Sequence, residues 1–410
     1  MSTPQYDLVV FGATSFVGQI LVKYLVDHFN EHPEDKVPWA MAGRSETKLE
    51  QVRSETGATD TPLLIADADN EAALQAMCKK TKVVISTVGP YALYGTTLVK
   101  ACVENGTDYC DLTGETQWIK RMVDRFEAKA KQTGARIVHC CGFDSIPSDL
   151  GVAFLQKTAQ EKFGAPCTDV KMRVKAAKGG ASGGTIASII NVTKEAIANP
   201  ALRKELANPY SICPPDHTFT ARQRNVKSAV FDKDFQCWSA PFVMAAINTR
   251  VVHRSNALSG NAYGVDFRYD EAMLTGREFK GRMTAITMVA GLGAFMVGAV
   301  IKPTRWLMES YMLPKPGEGP SPEAQQKGYY DLRFVGLTAD GKELRTKVTG
   351  DRDPGYGSTS KMLGQAGLSL ALDISKEEKA GGFWTTATIF DERMFKRLTA
   401  HAGLGFEVVE

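Results

Sequence analysis

The sequence predicts an α/β protein whose first third is a doubly wound parallel sheet. Three observations carry that expectation. Six β-favouring apolar runs alternate with amphipathic stretches between residues 6 and 141, the connections are short, and a turn of small residues bounded by glycines joins the first run to the first helix. Tyr6–Phe11 is a continuous apolar run that breaks at Gly12, and Phe16, Val17, Ile20, Leu21, Leu25, Val26 and Phe29 then recur at helical spacing. Val37–Ala42 reads as the second strand, with a polar helix from Glu46 to Thr56. Pro62–Ala66 and Asn70–Lys80 form the third strand and helix, and Lys82–Thr87 and Thr96–Asn105 the fourth pair. Tyr109–Leu112, a helix over 115–133, and Arg136–Cys141 complete the series. Such alternation implies right-handed crossovers and a sheet covered on both faces.

Length and charge bound the function. A chain of 410 residues predicts two or three domains at roughly 100–200 residues each. The 49 basic and 46 acidic side chains nearly cancel, so a nucleic-acid partner is not expected. No charged segment followed by an apolar one opens the chain, so no signal peptide is expected and the location is read as cytoplasmic. Eight cysteines without a C-x-x-C pair read as reduced, packed thiols. The six histidines are read as scattered, none paired at ligand spacing, and no metal is expected.

The first turn, Gly12-Ala13-Thr14-Ser15-Phe16-Val17-Gly18, lets backbone approach a pyrophosphate resting on amides at the positive end of a helix. The second strand closes on Gly43-Arg44-Ser45, where an NAD site normally carries an acid for the ribose hydroxyls. Arg44, with Ser45 and Lys48 beside it, suits a 2′-phosphate instead, and NADPH is the expected cofactor; the alternative is a solvated arginine opening a surface helix. Asp67 either accepts from the adenine amino group or caps a helix. Thr87, Val88, Gly89 and Pro90 follow the fourth strand and should pass beside the cofactor, with Tyr91 and Tyr94 projecting into the cleft. Gly142–Asp149 is a second such loop; its Ser148 and Asp149 read equally as helix caps.

Together Gly12–Gly18, Ala42–Ser45, Ser86–Gly95, Tyr109–Glu115 and Gly142–Asp149 resemble the saccharopine dehydrogenase-like oxidoreductases. The likeness is strongest to the branch holding mycobacterial trans-acting enoyl reductases and animal saccharopine dehydrogenase-like proteins. It continues through Thr249–Leu258, Pro354–Gly357 and the last thirty residues. The resemblance implies a Rossmann-type NADP(H) domain over 1–153 with a return at about 354–380. It also implies an inserted α+β substrate or dimerisation domain on a mixed sheet over 166–350, and a segment 381–410 packing back on the core. The Tyr91 and Asp144 positions match loops lining the substrate side of the nicotinamide. Gly89 and Phe143 depart from the true saccharopine reductases there.

In the second domain 168–177 alternates like a strand, a glycine-rich loop over 179–184 precedes the helix Thr185–Ala198, and 314–322 reads as a linker. Tyr330–Leu337 and Glu343–Thr349 read as a hairpin. Residues 284–301 run for 18 positions without a charge. As a helix that is about 27 Å, just short of a hydrocarbon core of about 30 Å. A buried or dimer-interface helix, a helix docked on a membrane or lipid-droplet surface, and a transmembrane span all remain open. The expected activity is NADPH-dependent reduction of a C=C bond in a hydrophobic acyl or polyketide-derived substrate by a homodimer. Tyr91, backed by Tyr94, is the candidate proton donor, with Asp144 or Ser145 orienting it or relaying the proton; alternatively the Tyr91 ring packs under the cofactor. The competing readings are a non-catalytic lipid-surface protein that keeps NADPH, and an imine reductase using Arg222, Arg224, Arg250 and Arg254 to bind carboxylates.

Overall fold

A computed structural model describes residues 4–180, 183–301, 304, 306 and 319–409. The chain divides into two compact units. One comprises Met1–Phe143, Pro316–Gly319 and Gly355–Gly403; the other comprises Asp144–Lys315, Pro320–Pro354 and Leu404–Glu410.

The first unit is built on seven parallel strands. They are β1 (Tyr6–Phe11), β2 (Trp39–Gly43), β3 (Leu63–Ile65), β4 (Thr81–Ser86), β5 (Asp108–Asp111), β6 (Arg136–Val138) and β13 (Gly382–Trp384), in the order β13-β6-β5-β4-β1-β2-β3. The central strands carry the longest apolar runs because both of their faces are covered: Leu8, Val9, Val10, Val83, Val84 and Ile85 are fully buried. The order reverses between β1 and β4, which places the crevice for a ligand at their carboxyl ends. The helix Thr359–Leu372 packs beneath these strands, and its small residues are what permit the approach. A Cβ on Gly367 would lie 2.4 Å from Ile85 Cδ1, and one on Gly364 would lie 2.8 Å from the Tyr24 ring. Arg136, 1% exposed, is held by Asp108 and by the carbonyls of Leu370 and Ile374, which ties this returning helix to the sheet.

The second unit carries a mixed sheet. Its strands are β7 (Cys167–Lys178), β8 (Val230–Asp232), β9 (Cys237–Pro241), β10 (Arg268–Gly276), β11 (Tyr329–Thr338), β12 (Glu343–Gly350) and β14 (Leu404–Val409), in the order β14-β12-β11-β7-β10-β9-β8. The hairpin forms between β11 and β12, with Gly341 taking the left-handed conformation its turn requires. The helices Ile146–Phe163 and Ala245–Leu258 are largely buried in this unit.

Two boundaries differ from the sequence expectation. The helix Ile146–Phe163 belongs whole to the second unit, so the division falls at residues 143 and 144 rather than at 153. Its first half buries every residue from Ile146 through Val152, the polar Ser148 and Asp149 included, and the helix packs on β7, β11 and β12, which strand-helix alternation alone does not reveal. Residues 381–410 do not act as one piece either. β13 extends the parallel sheet of the first unit, whereas β14 pairs antiparallel with β12 in the second. The parts 181–182 of the glycine-rich loop and 314–318 of the linker lie outside the described residues.

All of the apolar segment but its last residue, Ile301, lies within a helix over Glu278–Val300 that packs along β9 and β10. Only 11% of its most apolar window is buried, and the mean hydropathy there is 1.4. Phe279, Met283, Ile286, Met296 and Val297 are exposed. This does not fit a buried helix within the chain.

Candidate nucleotide site and the polar clusters of each unit

In the first unit the turn after β1 closes on itself through contacts that demand its residue types. Gly12 has φ +87°, and a Cβ there would lie 2.5 Å from Val88 Cγ2 and 2.8 Å from Thr87 Oγ1. A Cβ on Gly18 would lie 2.1 Å from the Gly12 carbonyl oxygen. Ser15 caps the helix Phe16–Glu31 by accepting from the Gly18 N–H at 2.9 Å, and its hydroxyl meets that of Thr87 at 2.9 Å. Thr87 in turn donates to the Gly12 carbonyl at 2.9 Å. The structure therefore brings Gly12, Ser15, Gly18, Thr87 and Val88 together at the switch point. Ala13 is buried with its N–H on the Ala42 carbonyl, Thr14 and Val17 are half-buried, and Phe16 sets its edge on Tyr356 with centroids 5.2 Å apart.

Gly43 ends β2 in the core, and Arg44 emerges directly after it into solvent. Ser45 caps the next helix through the Lys48 N–H at 3.4 Å, and the Lys48 side chain is exposed. Among the described residues neither Arg44 nor Lys48 has an ion-pair partner. The glycine cradle, the helix amides above it and this uncommitted guanidinium fit a dinucleotide with a 2′-phosphate. Asp67 accepts from the Asp69 N–H at 3.1 Å, and the helix Glu71–Cys78 is capped by Asn70, so the capping alternative falls to the later residue.

Past β4 the loop runs through exposed Gly89 and half-buried Pro90. Its course is fixed by a residue that was not singled out as a site residue from the sequence: the buried Glu115 carboxylate accepts from the N–H groups of Tyr91 at 2.7 Å and Ala92 at 3.0 Å. Tyr91 turns inward, 3% exposed, with its hydroxyl donating to the Ser86 carbonyl at 3.0 Å and its ring against Trp118. Tyr94 is 41% exposed. Beneath them Asp111 gathers the Tyr109 hydroxyl at 3.0 Å, His139 Nδ1 at 2.7 Å and two backbone amides, a wholly buried set that braces the ends of β5 and β6. A buried carboxylate on amides leaves no periodicity in sequence, which is why it was not legible there.

Asp144 and Ser145 belong to the second unit. Asp144 is half-buried, and buried Ser145 donates to Asn248 Oδ1 at 3.0 Å. The Asn248 amide donates to Ser148 Oγ at 3.0 Å and to Glu271 Oε2 at 2.9 Å, and the Tyr269 hydroxyl donates to Glu271 Oε1 at 2.7 Å. Burial pushes the Glu271 carboxyl up to about 7 despite these donors. Ser255 donates to Asp149 at 2.6 Å. The arginines considered for carboxylate recognition are largely committed within the unit. Arg224 pairs with Asp169 and Asp270, Arg250 binds the carbonyls of Ala246 and Leu206, and Arg254 binds that of Ile212.

The expectation that no histidines group is overturned. His28 in the last turn of the first helix and His32 at its C-cap stand four residues apart, and His401 joins them, with one ligand nitrogen from each lying within 4.8 Å of the others. The spacing between His28 and His32 is visible in the sequence; the third member comes only from the return of the chain.

The parallel sheet with its order reversal, the glycine cradle and the exposed arginine define a dinucleotide-binding oxidoreductase. The description “Saccharopine dehydrogenase NADP binding domain” matches residues 8–138. A Mycobacterium tuberculosis protein named as a trans-acting enoyl reductase is 39% identical over 422 residues, spanning 99% of this chain and 98% of its own. The trans-acting enoyl reductase of Mycobacterium bovis is 36% identical, spanning 96% of each. Saccharopine dehydrogenase (L-Glu forming) from Saccharomyces cerevisiae shares the fold with a TM-score of 0.53 at 12% identity, covering 99% of this chain and 100% of that one. The chain belongs to the saccharopine dehydrogenase-like oxidoreductases, in the branch of the trans-acting enoyl reductases. It is an NADP-dependent oxidoreductase.

Proposed function

We propose that the protein reduces the C=C bond of an α,β-unsaturated, hydrophobic acyl or polyketide-derived substrate with NADPH. The observation that carries this reading is identity of 36% across 96% of the chain to a protein named as a trans-acting enoyl reductase. Held on these residues, NADPH would provide the hydride for the β-carbon, and a proton added at the α-carbon would complete the saturated product. The chain's own task is to hold the nucleotide on the Gly12–Gly18 turn, select its 2′-phosphate with Arg44, and orient the acyl group. Two of the four side chains proposed for proton handling have their hydroxyl protons committed: Tyr91 to the Ser86 carbonyl and Ser145 to Asn248. We assign both to positioning, and Tyr94 and Asp144 remain the candidates for proton exchange. The internal pairing of Arg224, Arg250 and Arg254 argues against an amino-acid and keto-acid pair as substrate.

The exposed apolar stripe on the helix Glu278–Val300 supports a second element of the reading. On this reading the chain acts as a cytoplasmic homodimer whose helix docks on a membrane or lipid-droplet surface, where a hydrophobic substrate is concentrated; binding without turnover is the competing outcome. The test is NADPH consumption by the full chain with three substrate sets. One is a long-chain 2-enoyl thioester, one its saturated counterpart, and one an amino acid with a keto acid. Consumption with the enoyl thioester alone supports the proposal. Consumption only with the amino-acid pair, or with none, overturns it.

A further inference from the structure

The three histidines of the first unit form the strongest cluster that nucleotide binding does not use. His28 lies in the last turn of the helix Phe16–Glu31, His32 caps its C-terminal end, and His401 closes the helix Glu392–His401. Their rings crowd edge to face, with centroids 4.4 Å apart for His32 and His401 and 4.9 Å for His28 and His401. We infer that His28, His32 and His401 form a site for a divalent transition-metal ion that prefers imidazole, Zn²⁺ foremost, pinning the first helix to the last.

Three observations support the site. First, His401 Nδ1 is a buried atom without a hydrogen-bond partner among the described residues, a state that costs free energy unless a ligand takes the lone pair. Second, His28 is 3% exposed and its Nε2 lies 2.9 Å from Asp35 Oδ2. A carboxylate only accepts, so Nε2 carries the proton and Nδ1 carries the lone pair. That is the carboxylate–histidine arrangement that orients metal ligands elsewhere. Asp35 is fixed in its turn by Arg397, which also binds Asp373. Third, the surrounding charges tolerate a dication, because Asp35 and Asp373 outnumber Arg397, and Glu34 lies 3.3 Å from His32.

Ligand nitrogens within 4.8 Å of one another need only small ring adjustments to bind one ion. Coordination at about 2.0–2.1 Å in a tetrahedron places nitrogens about 3.3 Å apart. Three imidazoles leave the fourth position to water. The site lies at the far end of the first helix from the Gly12–Gly18 turn, so the ion clamps structure and takes no part in hydride transfer.

The test uses the tag-free full chain, stripped with a chelator and titrated with Zn²⁺ against a chromophoric competitor. One equivalent should bind, with the thermal midpoint rising by several degrees. His32→Gln and His401→Gln should each weaken Zn²⁺ at least thirtyfold while leaving the metal-free midpoint within a few degrees, and His217→Gln should change neither. Because a variant could fail to fold, Co²⁺ added to the unaltered chain gives an independent readout: visible absorption bands of tetrahedral, nitrogen-bound cobalt. Absence of those bands together with no saturable Zn²⁺ binding overturns the proposal. So does binding that survives in either histidine variant.

Discussion

Replacing Arg44 separates nucleotide selection from stability. Arg44 is exposed and has no ion-pair partner among the described residues, so its removal should alter folding by no more than other surface changes, about 0.5 kcal/mol. Toward a 2′-phosphate, however, a guanidinium makes a two-pronged charge-assisted contact, worth about 1.5–3 kcal/mol in general. At 1.4 kcal/mol per tenfold, Arg44→Ala should weaken NADPH by about ten- to a hundredfold. Solvent exposure favours the lower end of that range. Arg44→Glu brings a negative charge toward the dianion and should cost more than Arg44→Ala. NADH lacks the phosphate, and its affinity should stay within about twofold in Arg44→Ala. Titration of nicotinamide fluorescence, beside thermal melts of the same samples, measures both quantities. NADPH affinity indifferent to both substitutions would refute the 2′-phosphate assignment, and equal losses for NADPH and NADH would mean a general collapse of the turn.

Three further outcomes follow from the site geometry. Gly18→Ala, whose Cβ would sit 2.1 Å from the Gly12 carbonyl, should abolish measurable binding of both nucleotides; ordinary NADPH affinity would show that the turn is not the cradle. Tyr91→Phe removes a hydroxyl that donates to the Ser86 carbonyl and accepts from the Leu112 N–H. It should lower stability by about 1 kcal/mol and keep turnover within threefold, whereas a hundredfold loss of kcat would return that hydroxyl to the chemistry. Glu271, pushed up to about 7, binds its proton more tightly folded than unfolded. Its contribution is therefore full below the ordinary carboxyl range and is lost as pH rises toward 7, up to roughly 3 kcal/mol. Melts between pH 4 and 8 should show that decline, flattened in Glu271→Gln; an unchanged pH profile in the variant would contradict the assignment.

The first unit was readable in the sequence because its central strands are buried on both faces and its turns carry glycine at positions where a side chain would collide. Gly12, Gly18 and the β1–β2–β4 core are of that kind. Other features depended on contacts between residues far apart in sequence. Glu115 holds the loop after β4 through backbone amides, which no residue pattern announces. β14 is a short half-buried strand whose partner, β12, lies before the returning helix. The third histidine of the cluster reaches the first helix only through that same return. The helix Glu278–Val300 was visible as an apolar run, but its exposure could not be read from composition, because buried and surface-docked helices share it.

Reduction of the alkene is the central claim, and isotope transfer tests it most directly. The full chain is incubated with NADPH deuterated at the transferable nicotinamide C4 position and a long-chain 2-enoyl thioester, and the product is examined by mass spectrometry and NMR. One deuterium at the β-carbon of a saturated product, formed at a rate that falls in Gly18→Ala, is the predicted result. Deuterium at a carbonyl or imine carbon, or none transferred to any acyl product, would contradict enoyl reduction.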